Sequence, residues 1–202
     1  MKQSIFFFIF SLLAASLAAQ GNEGTPEKSP AGYYNLTQLS LIIGETDELS
    51  PAPNLVPSIT TVNGYRFNEH FAMGAGVGMA AYRYVTFPVF LDLRGYILKG
   101  DFTPLLAFKG GYAFADNDKE IFPAGTYAEA TYKNTGGWML HPEIGFRAAI
   151  NASCNFVFTI GYYYQDLKTE VTEKPTSYRR YPIIHTTDTH LDRLCFTIGF
   201  LF

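Results

Sequence analysis

The C-terminal segment of the chain alternates apolar and polar side chains with a period of two residues. The apolar positions are Leu194, Phe196, Ile198, Phe200 and Phe202, and the residues between them are small or polar. In an extended strand successive side chains point to opposite faces, so this spacing gives the strand one apolar face and one polar face. A strand that separates lipid from a closed polar interior requires this pattern.

The same alternation recurs along the chain. Between residues 86 and 98, for example, Val89, Leu91 and Leu93 alternate with Asp92 and Arg94. Eight segments of this kind are predicted, at approximately residues 32–44, 54–67, 70–82, 86–98, 102–115, 135–150, 154–166 and 190–202. An even number of antiparallel strands places both ends of the barrel chain on the same side of a membrane.

The composition favours a membrane-spanning β-barrel over a soluble domain. Charged residues make up only 16% of the chain and aromatic residues another 16%, whereas about a quarter of the residues of soluble domains are charged. Beyond the N-terminal region no stretch approaches the ~18 consecutive apolar residues of a membrane helix. The formal net charge of -3 argues against a nucleic-acid partner. We therefore predict an all-β protein, an eight-stranded antiparallel up-and-down barrel.

The N-terminal residues have the pattern of a secretory signal peptide. Lys2 precedes a short apolar run that ends in small residues, and cleavage after either Ala18 or Ala19 fits the pattern. No cysteine stands at this junction to accept a lipid. We predict a signal peptide at 1–19, a flexible periplasmic linker at 20–31 and the barrel at 32–202.

The predicted connections differ in length at the two ends of the barrel. Brief turns are expected at 68–69, 99–101 and 151–153, which suits the periplasmic end. Residues 116–134 and 167–189 are predicted to be longer external loops and to contact an external ligand. The second contains Tyr178-Arg179-Arg180-Tyr181, a pairing suited to acidic or sugar partners. Solvated shielding loops are the alternative interpretation.

Several segments resemble a known family. They are 62–67, running into the glycines at 74, 76 and 78, then 87–94, 110–112, 136–137 and the terminal strand. Together they are similar to the small outer-membrane β-barrel proteins of the OmpA/OmpX-like porin superfamily. The resemblance implies location in the outer membrane, contact with its lipid and assembly by the barrel assembly machinery, with Phe202 as the C-terminal aromatic signal. It does not imply one function, because the family includes structural, adhesive and ligand-binding members.

Charged residues on the inward faces are predicted to form an ion-pair network in the lumen. Its members are Asp92, Arg94, Lys109, Glu143, Arg147 and Arg193. The turn at 99–101 sets the register so that Asp92 lies directly or diagonally across from Lys109. Eight strands leave a lumen that side chains fill, so we expect a plug. A gated proton or ion path is the alternative.

Aromatic residues on the outward faces are predicted to form girdles at the two membrane interfaces. They are Tyr33, Phe71, Phe87, Phe102, Phe114, Trp138, Phe156 and Tyr164. A soluble lipocalin-like carrier, the competing fold hypothesis, would place charges outward and apolar residues inward.

No set of residues predicts catalysis or a cofactor. His185, Asp188 and His190 could bind a divalent metal, but a solvated loop is the default interpretation, so we predict no metal site. Cys154 is predicted to lie on the outward face of its strand and Cys195 on the lumen face. We therefore predict two free thiols and no disulfide. We expect a non-enzymatic, monomeric barrel with a structural or loop-mediated binding role. The alternatives are a minor solute channel and, less favoured, a lipid-modifying enzyme.

Overall fold

The computed structural model describes residues 31–45, 54–82, 85–115, 118–121, 130–151, 153–173 and 183–202. The predicted signal peptide and all but the last residue of the predicted linker lie outside these ranges. The described residues form ten strands: β1 (Gly32–Ile43), β2 (Leu55–Arg66), β3 (Phe71–Ala81), β4 (Val85–Tyr96), β5 (Phe102–Ala115), β6 (Asp118–Ile121), β7 (Ala130–Thr135), β8 (Gly137–Ala149), β9 (Asn155–Glu173) and β10 (Ile183–Leu201). Within the same ranges, no helix is long and apolar enough to cross a bilayer.

Eight of the strands close into a barrel. In the sheet, β1 to β5 follow one another and are continued by β8, β9 and β10, with every pair antiparallel. The terminal strand β10 pairs with β9 on one side and with β1 on the other, from Leu36 opposite Leu201 to Ile43 opposite Leu194. The predicted eight-stranded antiparallel barrel is confirmed.

Short connections lie at the end of the barrel where β1 begins and β10 ends. Asn68 and Asn151 form two of them in the same way. The Asn68 Oδ1 accepts hydrogen bonds from the backbone N–H groups of His70 and Phe71, both at 2.8 Å. The Asn151 Oδ1 accepts those of Ser153 and Cys154, at 2.9 and 2.8 Å. An asparagine side chain that satisfies its own turn in this way explains why the connections are so brief.

The segments predicted to be external loops are partly strand, so that prediction is corrected. Strands β9 and β10 are each 19 residues long, and β7 pairs with β9 over 168–173 while β6 pairs with β7. Many residues in these extensions are β-branched, including Thr172, Ile183 and Ile184, and such residues favour extended backbone. At ~3.3 Å per residue each long strand spans roughly 60 Å, far more than an apolar band ~25 Å tall requires.

The outer surface of the barrel is apolar, as the alternation predicts. Leu91 at the middle of β4 is 60% exposed, and Trp138 on β8 is 65% exposed. The interior is more apolar than predicted, because side chains on the inward faces near the periplasmic end are also aliphatic. They are Leu36, Val62, Leu105, Val157 and Leu201, all buried. An eight-stranded barrel is narrow enough for side chains to pack across it as a core, which removes the need for every inward position to be polar.

Candidate functional site

The charged part of the lumen lies on three neighbouring strands. Asp92 on β4 pairs directly with Lys109 on β5, and Lys109 pairs directly with His141 on β8. Glu143 lies two residues beyond His141 and therefore faces the same side of the sheet. The predicted register between Asp92 and Lys109 is confirmed. The cluster therefore forms because neighbouring strands present their inward charged positions at the same height.

Arg94 and Asp92 form a bidentate ion pair. The Arg94 Nε donates to Asp92 Oδ2 at 2.6 Å, and its Nη2 donates to Asp92 Oδ1 at 3.2 Å. Both side chains are 0% exposed. The same Nη2 donates to the Gln38 Oε1 at 3.5 Å, so the guanidinium reaches across the lumen to β1. Paired N–H groups of this kind match a carboxylate in charge and in geometry.

Glu143 accepts from the second cation of the cluster. The Lys109 Nζ donates to Glu143 Oε1 at 2.8 Å, the His141 Nε2 lies 3.4 Å from the same oxygen, and the Arg94 Nη2 lies 3.9 Å from Oε2. The carboxylates of Asp92 and Glu143 are thus paired with the two cations Arg94 and Lys109. Buried charges are tolerated when they are paired in this way, and removing one member leaves its partner uncompensated.

The space left in the lumen is small. A cavity of about 20 Å³ lies between Phe90, Lys109, His141, Tyr163 and Cys195, with other inward side chains of the barrel around it. Roughly 10–15 Å³ is enough for one water molecule, so this cavity has the size of an isolated hydration site rather than of a pore.

Glycines on β3 make room for the large lumen side chains. A Cβ on Gly76 would lie 2.5 Å from the Phe90 ring, and one on Gly74 would lie 2.9 Å from the Tyr34 hydroxyl. The alternating glycines therefore serve lumen packing.

Two arginines predicted for the ion-pair network lie apart from it. Arg147 follows Glu143 by four residues on β8, about 13 Å nearer the periplasmic end; its Nη2 donates to the Gly100 carbonyl at 3.0 Å and its guanidinium lies over the Tyr96 ring at 4.9 Å. Arg193 is buried on β10, where its stem fills the space beside Gly44. Their positions along the strands separate them from Asp92 and Glu143. The alternation of side chains predicts which face of the sheet a residue lies on, but not how far along the barrel it lies.

The predicted girdle residues lie on the outer face of the barrel. Tyr33, Phe71, Phe102, Phe114 and Trp138 are exposed, and Phe87, Phe156 and Tyr164 are half-buried. Several contact another aromatic ring, as in the edge-on pair of Tyr112 with Trp138, whose ring centroids are 5.9 Å apart. Phe202, the predicted assembly signal, is exposed and is joined to Asn35 by reciprocal backbone hydrogen bonds.

A polar group on the outward face of β9 and β10 was not predicted. The Tyr164 hydroxyl donates to Asp166 Oδ1 at 2.7 Å, and the His190 Nδ1 lies 2.6 Å from the same oxygen. Further along the hairpin Lys168 pairs with Asp188 at 3.6 Å. The signal was present in the sequence, since the outward positions of β10 change from apolar to charged between residues 194 and 192. This change marks the end of the lipid-facing surface.

Neither the cysteines nor the histidines form a reactive or metal-binding group in the described part of the chain. Cys154 and Cys195 are free thiols, the second of them buried. No group of three potential metal ligands is found among the described residues. His185 was one of the three residues considered above for a divalent metal, and its side chain lies outside the part of the chain that the structure describes.

Similar solved structures are outer-membrane proteins. Outer membrane protein OprG from Pseudomonas aeruginosa is 15% identical, with a TM-score of 0.56 over 85% of this chain and 95% of that one. Neisserial surface protein A is 11% identical, with a TM-score of 0.56 over 86% and 98%. Outer membrane protein AlkL, solved in DMPC lipid bilayers, is 16% identical, with a TM-score of 0.50 over 90% and 97%. No protein-family model and no curated protein sequence gives a significant match.

The fold shared with these proteins is the small outer-membrane β-barrel. At identities this low the comparison concerns the fold, and it does not carry the OmpA/OmpX-like family name to this chain. The apolar outer surface supplies a physical reason for a membrane location, because lipid covers such a surface and a closed barrel leaves no strand edge exposed to it. The protein is an integral outer-membrane β-barrel.

Proposed function

We propose that this protein is a sealed, non-enzymatic outer-membrane barrel that acts through its external end. The observation that carries the proposal is that Asp92, Arg94, Lys109 and Glu143 occupy the lumen at mid-height and leave beside them a cavity of only about 20 Å³. All four are buried, with Glu143, the most exposed of them, at 4%. A solute path would have to displace this cluster.

The energetics support a plug over a channel. Opening a path between Arg94 and Glu143 would separate charges that are paired inside a narrow, side-chain-filled lumen. Breaking a buried pair by removing one partner costs about 3–5 kcal/mol, so spontaneous opening would be rare. The minor solute channel, our alternative, predicts instead a measurable open state.

Conductance in planar lipid bilayers tests this proposal. We expect no current steps from the wild-type protein, and none from Glu69→Ala, a control that removes a carboxylate from an exposed periplasmic turn. Asp92→Ala and Glu143→Ala change the plug itself. Current through the wild-type protein that Glu143→Ala abolishes, while Glu69→Ala preserves it, would contradict the sealed barrel and support a gated path.

The external end supports a binding role for this barrel. Strands β9 and β10 continue past the apolar surface as a paired hairpin, and β7 and β6 extend the same sheet. Such a sheet runs through parts of both segments predicted to contact an external ligand, and binding residues are often carried on a rigid scaffold of this kind. The basic-aromatic residues at 178–181 belong to one of these segments and lie outside the described residues.

Paired deletions test the binding role. Replacing 174–182 by a two-residue Asn-Gly turn should weaken binding to host cells or surface glycans, and shortening 122–129 in the same way tests the second segment that is predicted to contact the ligand. Mobility on an unboiled gel verifies that each variant is folded. If binding persists after both deletions, or was never detectable, the external role is refuted and a structural role remains.

A further inference from the structure

A polar patch interrupts the lipid-facing surface of the barrel on β1 and β2. It consists of two directly opposed cross-strand pairs, Asn35 with Asn63 and Thr37 with Thr61. All four residues are half-buried, and Leu39, two positions beyond Thr37 on β1, is exposed. Because side chains two positions apart share one face of a strand, the four polar side chains lie on the outer wall of the barrel. They therefore face whatever surrounds the barrel in the membrane.

Exposed apolar and aromatic side chains border the polar patch on all four sides. They are Tyr33 and Tyr65 towards the periplasm, Leu39 and Ile59 towards the external end, Phe200 on β10 and Val77 on β3. Tyr33 is one of the predicted girdle residues, so the polar patch lies on the membrane side of that girdle. Lipid chains cannot form hydrogen bonds with amide and hydroxyl groups, which favours a protein neighbour over lipid at this place.

Hydrogen bonds within the polar patch use only part of its capacity. The Asn35 Nδ2 donates to the Asn63 Oδ1 at 2.8 Å and to the Thr61 Oγ1 at 3.3 Å. The Thr37 Oγ1 donates to the Asn35 Oδ1 at 3.4 Å, and the Tyr33 hydroxyl donates to the Asn63 Oδ1. In the described part of the chain the Asn63 Nδ2 donates to no acceptor. A carboxamide nitrogen carries two N–H groups, so Asn63 can donate to a molecule outside the barrel.

We propose that the polar patch is the contact surface of a homodimer, in which a second copy of this chain presents the same patch. Two copies in one membrane have the same orientation, so their two-fold axis runs along the membrane normal and the patch meets itself. Carboxamide and hydroxyl groups both donate and accept, which makes the patch complementary to itself. Its four side chains are uncharged, so the symmetry places no like charges opposite each other. This inference goes beyond the sealed barrel and replaces the expectation of a monomer.

Energy transfer between donor-labelled and acceptor-labelled copies in phospholipid vesicles tests the dimer. Cys195 is buried and Cys154 is not, so the folded protein takes its dye at Cys154. We expect transfer that falls as lipid is added, as a reversible dimer requires. Asn35→Leu with Asn63→Leu should weaken dimerisation by about tenfold, the loss expected when hydrogen bonds between membrane-spanning segments are removed.

Leu106→Val with Ile144→Val is the matched control, because it changes a directly opposed, exposed pair on β5 and β8. It should alter dimerisation by less than about twofold, as expected for a substitution outside the contact. Asn63→Asp keeps the shape of the side chain and places two negative charges across the two-fold axis, so it should also weaken the dimer. This variant protects the test against a leucine variant that does not fold. Absence of lipid-dependent transfer, an unchanged dimer in the asparagine variants, or an equal loss in the control would each overturn the proposal.

Discussion

Neutralising Glu143 tests the energetics of the lumen most directly. In Glu143→Gln the ammonium of Lys109 would remain buried, and the carboxylate oxygen that now lies 2.8 Å from it would be lost. No other carboxylate forms an ion pair with Lys109 among the described residues. Leaving a buried charge without its partner costs about 3–5 kcal/mol, so we expect a loss of this size in the free energy of unfolding.

The assay is urea unfolding in phospholipid vesicles, followed by fluorescence of the single tryptophan, Trp138, which faces outward. The double variant Lys109→Met with Glu143→Leu should be more stable than Glu143→Gln, because it removes both charges and keeps similar volumes. A loss below about 1 kcal/mol in Glu143→Gln, as for a solvent-exposed pair, would refute the reasoning, since it would mean that water screens the cluster.

Three further predictions concern packing, the lipid face and pH. Gly76→Val should destabilise the barrel by about 1–3 kcal/mol in the same assay, because the added side chain would overpack the lumen, whereas Gly32→Ala, with no atom within 4 Å of its new Cβ, should not. Leu91→Arg, at mid-height on the lipid face, should cost about 2–4 kcal/mol, and equal stability would contradict the membrane orientation. The hydrogen bond from Lys99, aided by its charge, holds the pKa of Glu69 below its ordinary value. The stabilisation from this pair is present above the unfolded-state pKa and is lost as pH falls through the folded-state pKa. Lys99→Gln should therefore raise the pKa of Glu69 in an NMR titration, and an unchanged pKa would show that the pair does not form.

Alternation in the sequence predicted the barrel because one physical constraint acts on every strand. A residue such as Leu91 faces lipid and Asp92 faces the lumen, since the side-chain period is fixed at two. The turn at 99–101 fixed the pairing of Asp92 with Lys109, so the register of two strands followed as well. These predictions needed only local information.

The parts that were not predicted depend on height along the barrel. Arg147 faces the lumen as Glu143 does but lies nearer the periplasm, where its guanidinium lies over the Tyr96 ring. The length of β9 and β10 was also missed, because the end of a membrane span does not end a strand when the next residues are β-branched and paired. The aliphatic layer around Leu36 follows from the narrowness of the whole barrel, which no single segment encodes.

The placement of the four mid-lumen charges has a consequence for the order in which the barrel assembles. Asp92, Arg94, Lys109 and Glu143 belong to β4, β5 and β8, which are adjacent in the sheet. They can neutralise one another while the sheet is still open. The last seam, between β1 and β10, joins residues about 160 positions apart and meets through uncharged groups at this height, such as Ser40 with Thr197. Closure at this height therefore dehydrates hydroxyl groups at the seam, and the four mid-lumen ions are already paired when it occurs.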